Sequence, residues 1–224
     1  MVRYTKRTYK RKARKTRSTP RYRNLKAVVP DKHVVKLRYV QQFDLDASSL
    51  INNSRVFRAN SIFDPDFTGV GHQPLGHDQW AVFYDHYNVV GSKITAKFIS
   101  TSAASNIGAS VVGILLRDSS TLVPVPTDIM EQTNSGYGIM TNSGATQVKT
   151  IVKGFSCKKF FGLKDIADNR AMVGAAFGSN PSEDAYFHVY QAPLVTGEDP
   201  TLCHCIVTME FMVQLTERKV LPQS

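Results

Sequence analysis

The sequence predicts an all-β domain, an eight-stranded antiparallel jelly roll with one short helix, preceded by a disordered basic N-terminal arm. Three observations carry this expectation. The excess positive charge is confined to the N-terminus; apolar and polar residues alternate over long stretches at both ends of the remainder; and clusters of Gly, Pro, Asn, Asp and Ser punctuate the β-branched segments between them.

Residues 1–26 hold twelve of the chain's 28 lysines and arginines and none of its 18 carboxylates. The rest of the chain sets sixteen cations against those carboxylates, a net of −2 within a total of +10. With only Met1, Val2, Ala13 and Leu25 as aliphatic residues, the arm has too little apolar surface to offset the entropy of ordering itself. Like charges repel along it until an anion binds. An interfacial helix, or a mitochondrial presequence, needs an apolar face that these residues lack, and no secretory apolar run is present. Seven arginines that can grip phosphates with paired N–H groups, interleaved with Tyr4, Tyr9 and Tyr22 for stacking on bases, point to nucleic acid. The expected contacts are Arg3, Lys6, Arg7, Lys10, Arg11, Lys12, Arg14, Lys15, Arg17, Arg21, Arg23 and Lys26. Of these, Lys6, Arg7, Lys10, Arg11, Lys12, Arg14 and Lys15, within KRTYKRKARK, also read as a nuclear localisation signal and imply an import receptor. The chain is expected to divide into an arm at 1–32 and a β domain at 33–224.

The domain is long enough for one sizeable core. Its longest nearly apolar run, IGASVVGILL at 107–116, is far short of the roughly 18 residues that span a bilayer, so no membrane insertion is expected. Three cysteines without a secretion signal argue against a disulfide framework and for a reducing compartment.

The strands follow in order. Leu37, Tyr39, Phe43 and Leu45 alternate with Lys36, Arg38, Gln42, Asp44 and Asp46, the period of a half-buried strand. Further segments near 54–60, 89–100, 109–117, 147–156, 170–178 and 185–192 are rich in β-branched or aromatic residues. The last strand carries Cys203, Cys205, Val207, Met209, Phe211, Val213 and Leu215 on one face, with His204, Thr208, Glu210 and Gln214 opposite. One stretch departs from this rhythm. In DQWAVFYDHY, residues 78–87, Trp80, Phe83, Tyr84 and Tyr87 fall on one helical stripe with Asp78 placed as N-cap, so the sequence predicts a helix stapled by Trp80 into the core. Long irregular connections favour a jelly roll over an up-and-down barrel; the strand order stays open.

NSIFDPDFTGVGHQPLGHDQWAVFYDHYNVVGSKITAKFI, residues 60–99, resembles the capsid proteins of small circular single-stranded DNA viruses that encode their own replication initiator, the group that includes circoviruses. The Arg-rich N-terminus and KGFSCKKFFGLKDIADNRA, residues 153–171, add to the likeness. The resemblance implies an eight-stranded jelly roll, self-assembly into an icosahedral T=1 capsid of on the order of sixty copies, and a basic arm facing the enclosed genome. It also implies a virion protein that passes through the host nucleus, and a cell-surface receptor as a partner. The arm here is shorter and less purely arginine than in circoviruses proper.

Several short motifs suggest other chemistry. DPDFTG, residues 64–69, places Asp64, Asp66, Thr68 and Gly69 like the start of a calcium loop, but Leu75 stands where a bidentate Glu is required, and a proline-initiated turn explains the same letters. His72, His77 and His86, near Asp78 and Asp85, lack the His-x-His spacing of a cupin-type metal enzyme. Cys203 and Cys205 should share the buried face of a strand with His204 on the other, so the three cannot meet on one ion. No catalytic residue, metal site or cofactor is expected. The connection at 119–146 reads either as an exposed functional loop, on the outer surface or at a symmetry axis, or as a tolerated insertion. The expectation is therefore a structural capsid protein that packages a single-stranded DNA genome; the alternative is a non-assembling basic nucleic-acid-binding protein of ribosomal-protein type.

Overall fold

In the computed structural model, residues 29–50, 52–100, 108–141 and 146–221 are described. The chain separates into Met1–Pro30 and Asp31–Ser224, and the regular structure described lies in the second unit. Among the described residues the strands are β1 (Lys32–Leu45), β2 (Asn53–Arg58), β3 (Tyr84–Ser100), β4 (Ser110–Arg117), β5 (Ser135–Met140), β6 (Gln147–Ser156), β7 (Gly174–Ala176), β8 (Tyr186–Pro193) and β9 (Cys203–Arg218). Short helices lie between them: α1 (His77–Ala81), α2 (Pro126–Glu131), α3 (Cys157–Phe160) and α4 (Arg170–Val173), the last preceded by a 3-10 turn at Ala167–Asn169.

The alternation at the two ends of the domain becomes a single ladder. β1 pairs antiparallel with β9 from Lys32 opposite Thr216 to Leu45 opposite Cys203. β3 lies on the other side of β9, so the first sheet runs β1-β9-β3-β6, with the short β7 added beside β3. The second sheet runs β2-β8-β4-β5. All these pairings are antiparallel, and with β7 set aside they are the two four-stranded sheets of a jelly roll. Leu37, Tyr39 and Leu45 of β1 turn inward, as do the seven alternate apolar residues of β9 from Cys203 to Leu215, these seven each no more than 1 % exposed. They meet Phe57, Phe187 and Val189 of the second sheet, with the Tyr39 and Phe43 rings 6.4 and 5.7 Å from Phe57.

The second sheet is covered on its outer face as well. β4 is buried along almost its whole length, which its unbroken run Val111–Leu116 requires. Val111, Leu115, Tyr190 and Ala192 on that outer face pack against Ile129 of α2, with Leu122, Val123 and Met130 around them. Gly113 makes room for the Tyr190 ring: a Cβ there would stand 2.5 Å from it.

Five expectations need correcting. The described residues hold four short α-helices, where the sequence predicts one. The helix expected at 78–87 is only His77–Ala81; its N-cap is Gly76 with no side-chain cap bond, and Asp78 instead accepts from His77 Nδ1 at 3.0 Å. Tyr84 and Tyr87 are both buried in β3 but, three residues apart, on opposite faces of it: Tyr87 stands beside the inward Leu215, and Tyr84 lies under the Trp80 ring. Trp80 is half-buried rather than central, resting against His33 at 5.2 Å and Tyr84 at 6.3 Å. The strand expected at 170–178 is mostly α4, with only Gly174–Ala176 in the sheet. In its place β5 forms inside the segment 119–146, which therefore contains α2 and β5 and is not one irregular connection. Residues 142–145 of that segment lie outside the described residues.

Candidate nucleic-acid interface

The arm residues expected to bind nucleic acid, Arg3 through Lys26, lie outside the described residues, and so does the localisation signal within them. The described domain carries a second cluster of cations, on the outer face of the β1-β9-β3-β6 sheet. Cross-strand pairing fixes this face row by row. Arg38 stands beside Glu210 and Glu210 beside Lys93; the next rows are Val40, Thr208, Thr95 and Val152, then Gln42, Ile206, Lys97 and Thr150. Lys36 stands one row before Arg38.

Glu210 is the carboxylate at the centre of this face. Its oxygens lie 2.8 Å from Lys93 Nζ, 2.9 Å from Lys36 Nζ and 3.1 Å from Arg38 Nη2. Hydrogen bonds from Lys93, then Lys36 and Arg38, hold its carboxyl down at about 2, so it stays ionised. Three cations around one anion leave a surplus of positive charge. Lys97 adds to it, with no ion-pair partner among the described residues, while Asp44 at the far row contacts His204. Around these charges the face is apolar and β-branched: Val40, Val148, Val152 and Met212 are all exposed. Two hollows mark it. One of about 390 Å³ is lined by Lys36, Gly91, Lys93, Glu210 and Met212. Another of about 620 Å³, at the β1 edge, is lined by Lys36, Arg38, Val40, His72 and Leu75, so Lys36 borders both.

At the β7 end of the same face, His86, Asn88, Arg170, Thr216 and Glu217 line a cavity of about 280 Å³. Asn88 and Thr216 are each 1 % exposed, and both side-chain polar atoms of Asn88 and the Thr216 hydroxyl have no hydrogen-bond partner among the described residues. Gly174 is needed beside them, since a Cβ at that position would meet Asn88 Oδ1 at 2.1 Å.

The remaining motifs resolve into structure. In DPDFTG the buried Asp66 carboxylate accepts from Arg55 Nε at 3.1 Å and from the Thr68 amide and hydroxyl at 3.1 and 2.8 Å. Asp64 accepts from Arg58 Nη1 at 2.8 Å, and Arg58 Nε donates to Asp184 at 3.2 Å, so arginines occupy the oxygens that a cation would need. Gly69 at φ 72° closes the turn in a conformation that favours glycine. The histidines are dispersed: His72 bridges the Gln73 and Val40 carbonyls, His77 is buried against Phe177, and His86 faces Glu217. Cys203 and Cys205 are buried with their sulfurs 3.9 Å apart and His204 is on the opposite face. No group of three His, Cys, Asp or Glu residues placed to hold a metal occurs among the described residues.

Sequence reasoning missed the sheet-face cations as a set. The even spacing of Lys36 and Arg38, and of Lys93 and Lys97, places each pair on one face of its strand. What joins the two pairs is the insertion of β9 between β1 and β3, which no local pattern reveals.

No protein-family model and no curated protein sequence matches the chain. The chain is similar to solved structures of viral shells at TM-scores below 0.5. The Cocksfoot mottle virus structure superposes with a TM-score of 0.48 at 12 % identity, covering 84 % of this chain and 97 % of that one. The 60-mer BFDV capsid protein gives 0.46 at 9 % identity, over 86 % and 97 % of the two chains. Mud crab tombus-like virus gives 0.42 at 12 % identity, over 88 % and 96 %. The jelly-roll assignment rests on the strand order of this chain, and with it the chain belongs, by fold, with the β-sandwich domains of two four-stranded antiparallel sheets.

Proposed function

We propose that the chain is the structural, non-catalytic subunit of a virus shell, which self-assembles into an icosahedral capsid of T=1 type and packages a circular single-stranded DNA genome through its basic arm. The observation that carries this reading is the joining, in one chain, of a twelve-cation arm free of carboxylates to a jelly-roll domain whose residues outside the arm are close to electroneutral. That division separates phosphate neutralisation by charge from protein–protein contact by shape. The resemblance of residues 60–99 to circular single-stranded DNA virus capsids supports DNA as the cargo and residues 6–15 as the signal read by a host import receptor. A cell-surface receptor would meet the outside of the assembled shell.

The test is to express the full chain, treat it with nuclease and image it by electron microscopy, then release and digest any protected nucleic acid with DNase or RNase. Uniform shells containing DNase-sensitive material are expected. Small monodisperse particles would overturn the reading in favour of a non-assembling nucleic-acid-binding protein. Replacing Arg11, Lys12, Arg14 and Lys15 together by Ala should leave shells that carry less nucleic acid, with a salt slope flatter by nearly three units at about −0.7 per phosphate contact.

A further inference from the structure

We propose that the outer face of the β1-β9-β3-β6 sheet is a second binding surface for single-stranded nucleic acid, with Lys36, Arg38, Lys93 and Lys97 as its phosphate contacts. The proposal rests on the capsid reading and extends it from the arm to the folded domain. Its foundation is an asymmetry between the two sheets. The outer face of the β2-β8-β4-β5 sheet is closed by the chain's own α2 and residues 122–130, whereas on the outer face of the first sheet Val40, Val148, Val152 and Met212 stay exposed among the described residues. That face is also the one that gathers cations on neighbouring strands.

Charge decides the occupant. Glu210 contacts Lys36, Arg38 and Lys93 together but neutralises only one of their charges, and Lys97 is unpaired among the described residues, so four cations face one central carboxylate. A second copy docking face to face would set these cations against their equivalents, which like-charge repulsion opposes. A polyanion gains from every one of them. Same-face residues recur every ~6.7 Å along a strand, so Lys36 and Arg38 on β1 and Lys93 and Lys97 on β3 spread the positive charge over several rows instead of a single point. Exposed Val40 and Met212 in the adjoining hollows offer apolar surface to bases without reading their edges. The cavity at the end of the face adds the unpaired amide of Asn88 and the Thr216 hydroxyl, groups able to bond a sugar or a base edge. The arm alone is also short of charge: twelve cations on each of about sixty subunits neutralise on the order of 700 phosphates, little more than the 672 nucleotides that encode this chain. The sheet face adds roughly 180 to that total, with three net charges per subunit.

The test uses the full-length chain and a labelled oligothymidylate. Acetylation of lysines with and without the oligonucleotide should find Lys36, Lys93 and Lys97 protected several-fold, while Lys158 and Lys164, off the face, react equally in both. The combined variant Lys36→Ala, Arg38→Ala, Lys93→Ala and Lys97→Ala should flatten the salt dependence by about 2 to 3 units of log K per log salt. Glu210→Gln should move affinity the opposite way, upward, which a merely misfolded variant would not do. Unchanged lysine reactivity together with unchanged slopes in both variants would overturn the proposal. So would a combined variant that fails to assemble yet binds oligothymidylate with the wild-type slope, since the face would then be a contact between subunits. Failure of the capsid reading looks different: the binding changes appear, but electron microscopy finds no shells.

Discussion

Substituting Arg55 by methionine tests whether the DPDFTG turn is held by a buried ion pair. The Asp66 side chain is fully buried, and the Arg55 guanidinium reaches it through Nε at 3.1 Å and Nη2 at 2.5 Å. Methionine preserves most of the apolar stem but leaves the carboxylate, among the described residues, with the Thr68 amide and hydroxyl as donors. Removing one partner of a buried pair costs about 3–5 kcal/mol, because the other charge is stranded away from water. For a domain of this size each kcal/mol moves Tm by about 2–4 °C, so a fall of roughly 6–20 °C is expected. The assay is thermal or urea unfolding followed by the fluorescence of Trp80, the only tryptophan in the chain, which is half-buried between His33 and Tyr84. The double variant Arg55→Met with Asp66→Leu removes the stranded charge and should recover part of the loss, even though the Thr68 bonds go with it. A single variant within about 0.5 kcal/mol of wild type would refute the ion-pair account. A chelator that lowered the wild-type Tm as far as the substitution does would refute it too, by restoring the calcium reading of the same letters.

Trp80→Ala should cost about 1–2 kcal/mol, less than a fully buried aromatic, because part of the side chain already meets solvent; urea unfolding with a tyrosine signal measures it. Gly113→Ala should cost about 1–3 kcal/mol, since the added methyl collides with the Tyr190 ring under α2, and limited proteolysis within residues 119–131 should speed up as that cover loosens. Burial pushes the His188 imidazole below its ordinary value of 6.5, against the opposing pull of the Ser119 carbonyl, so the unfolded chain binds the proton more tightly than the folded one. Stability should therefore fall as pH drops below about 6.5, before the carboxylate range is reached, and His188→Gln should flatten that part of the urea-midpoint profile. The contribution of Glu210 belongs to a more acid window, lost as pH falls from 4.5 toward 2.

How far the sequence could be read depended on whether the signal was local. The period of two in Leu37, Tyr39 and Leu45, and again from Cys203 to Leu215, reports burial on one side of a strand, and both strands appear at nearly the expected limits. The stripe Trp80, Phe83, Tyr84, Tyr87 misled because a helical spacing spans the junction between α1 and β3, where Tyr84 and Tyr87 are buried by the sheet. β5 was hidden because SGYGIM is built to lie close to a neighbour: its glycines leave space for the stems of Lys149 and Lys153, and so lack the β-branched residues that advertise a strand. The ends of the DPDFTG motif were legible as a turn, but the arginines that hold it come from β2 and reach it through the fold. The sheet-face cations needed the strand order itself, the one property that alternation cannot supply.

β9, the last strand of the domain, lies between β1 and β3 rather than at an edge, and this has a consequence for how the protein is made. Until the ribosome has released the segment from Cys203 to Arg218, β1 has no neighbour in its sheet, and β3 can pair only with β6 and β7. Nearly the whole domain must be synthesised before its first strand finds its place, and such distant pairing pays its loop-closure entropy late and folds slowly. The chain is thus kept from completing its first sheet while still attached to the translation machinery. A stop codon upstream of Cys203 would leave an unfinished sheet with exposed strand edges, a species directed to aggregation or proteolysis and not to a smaller working domain.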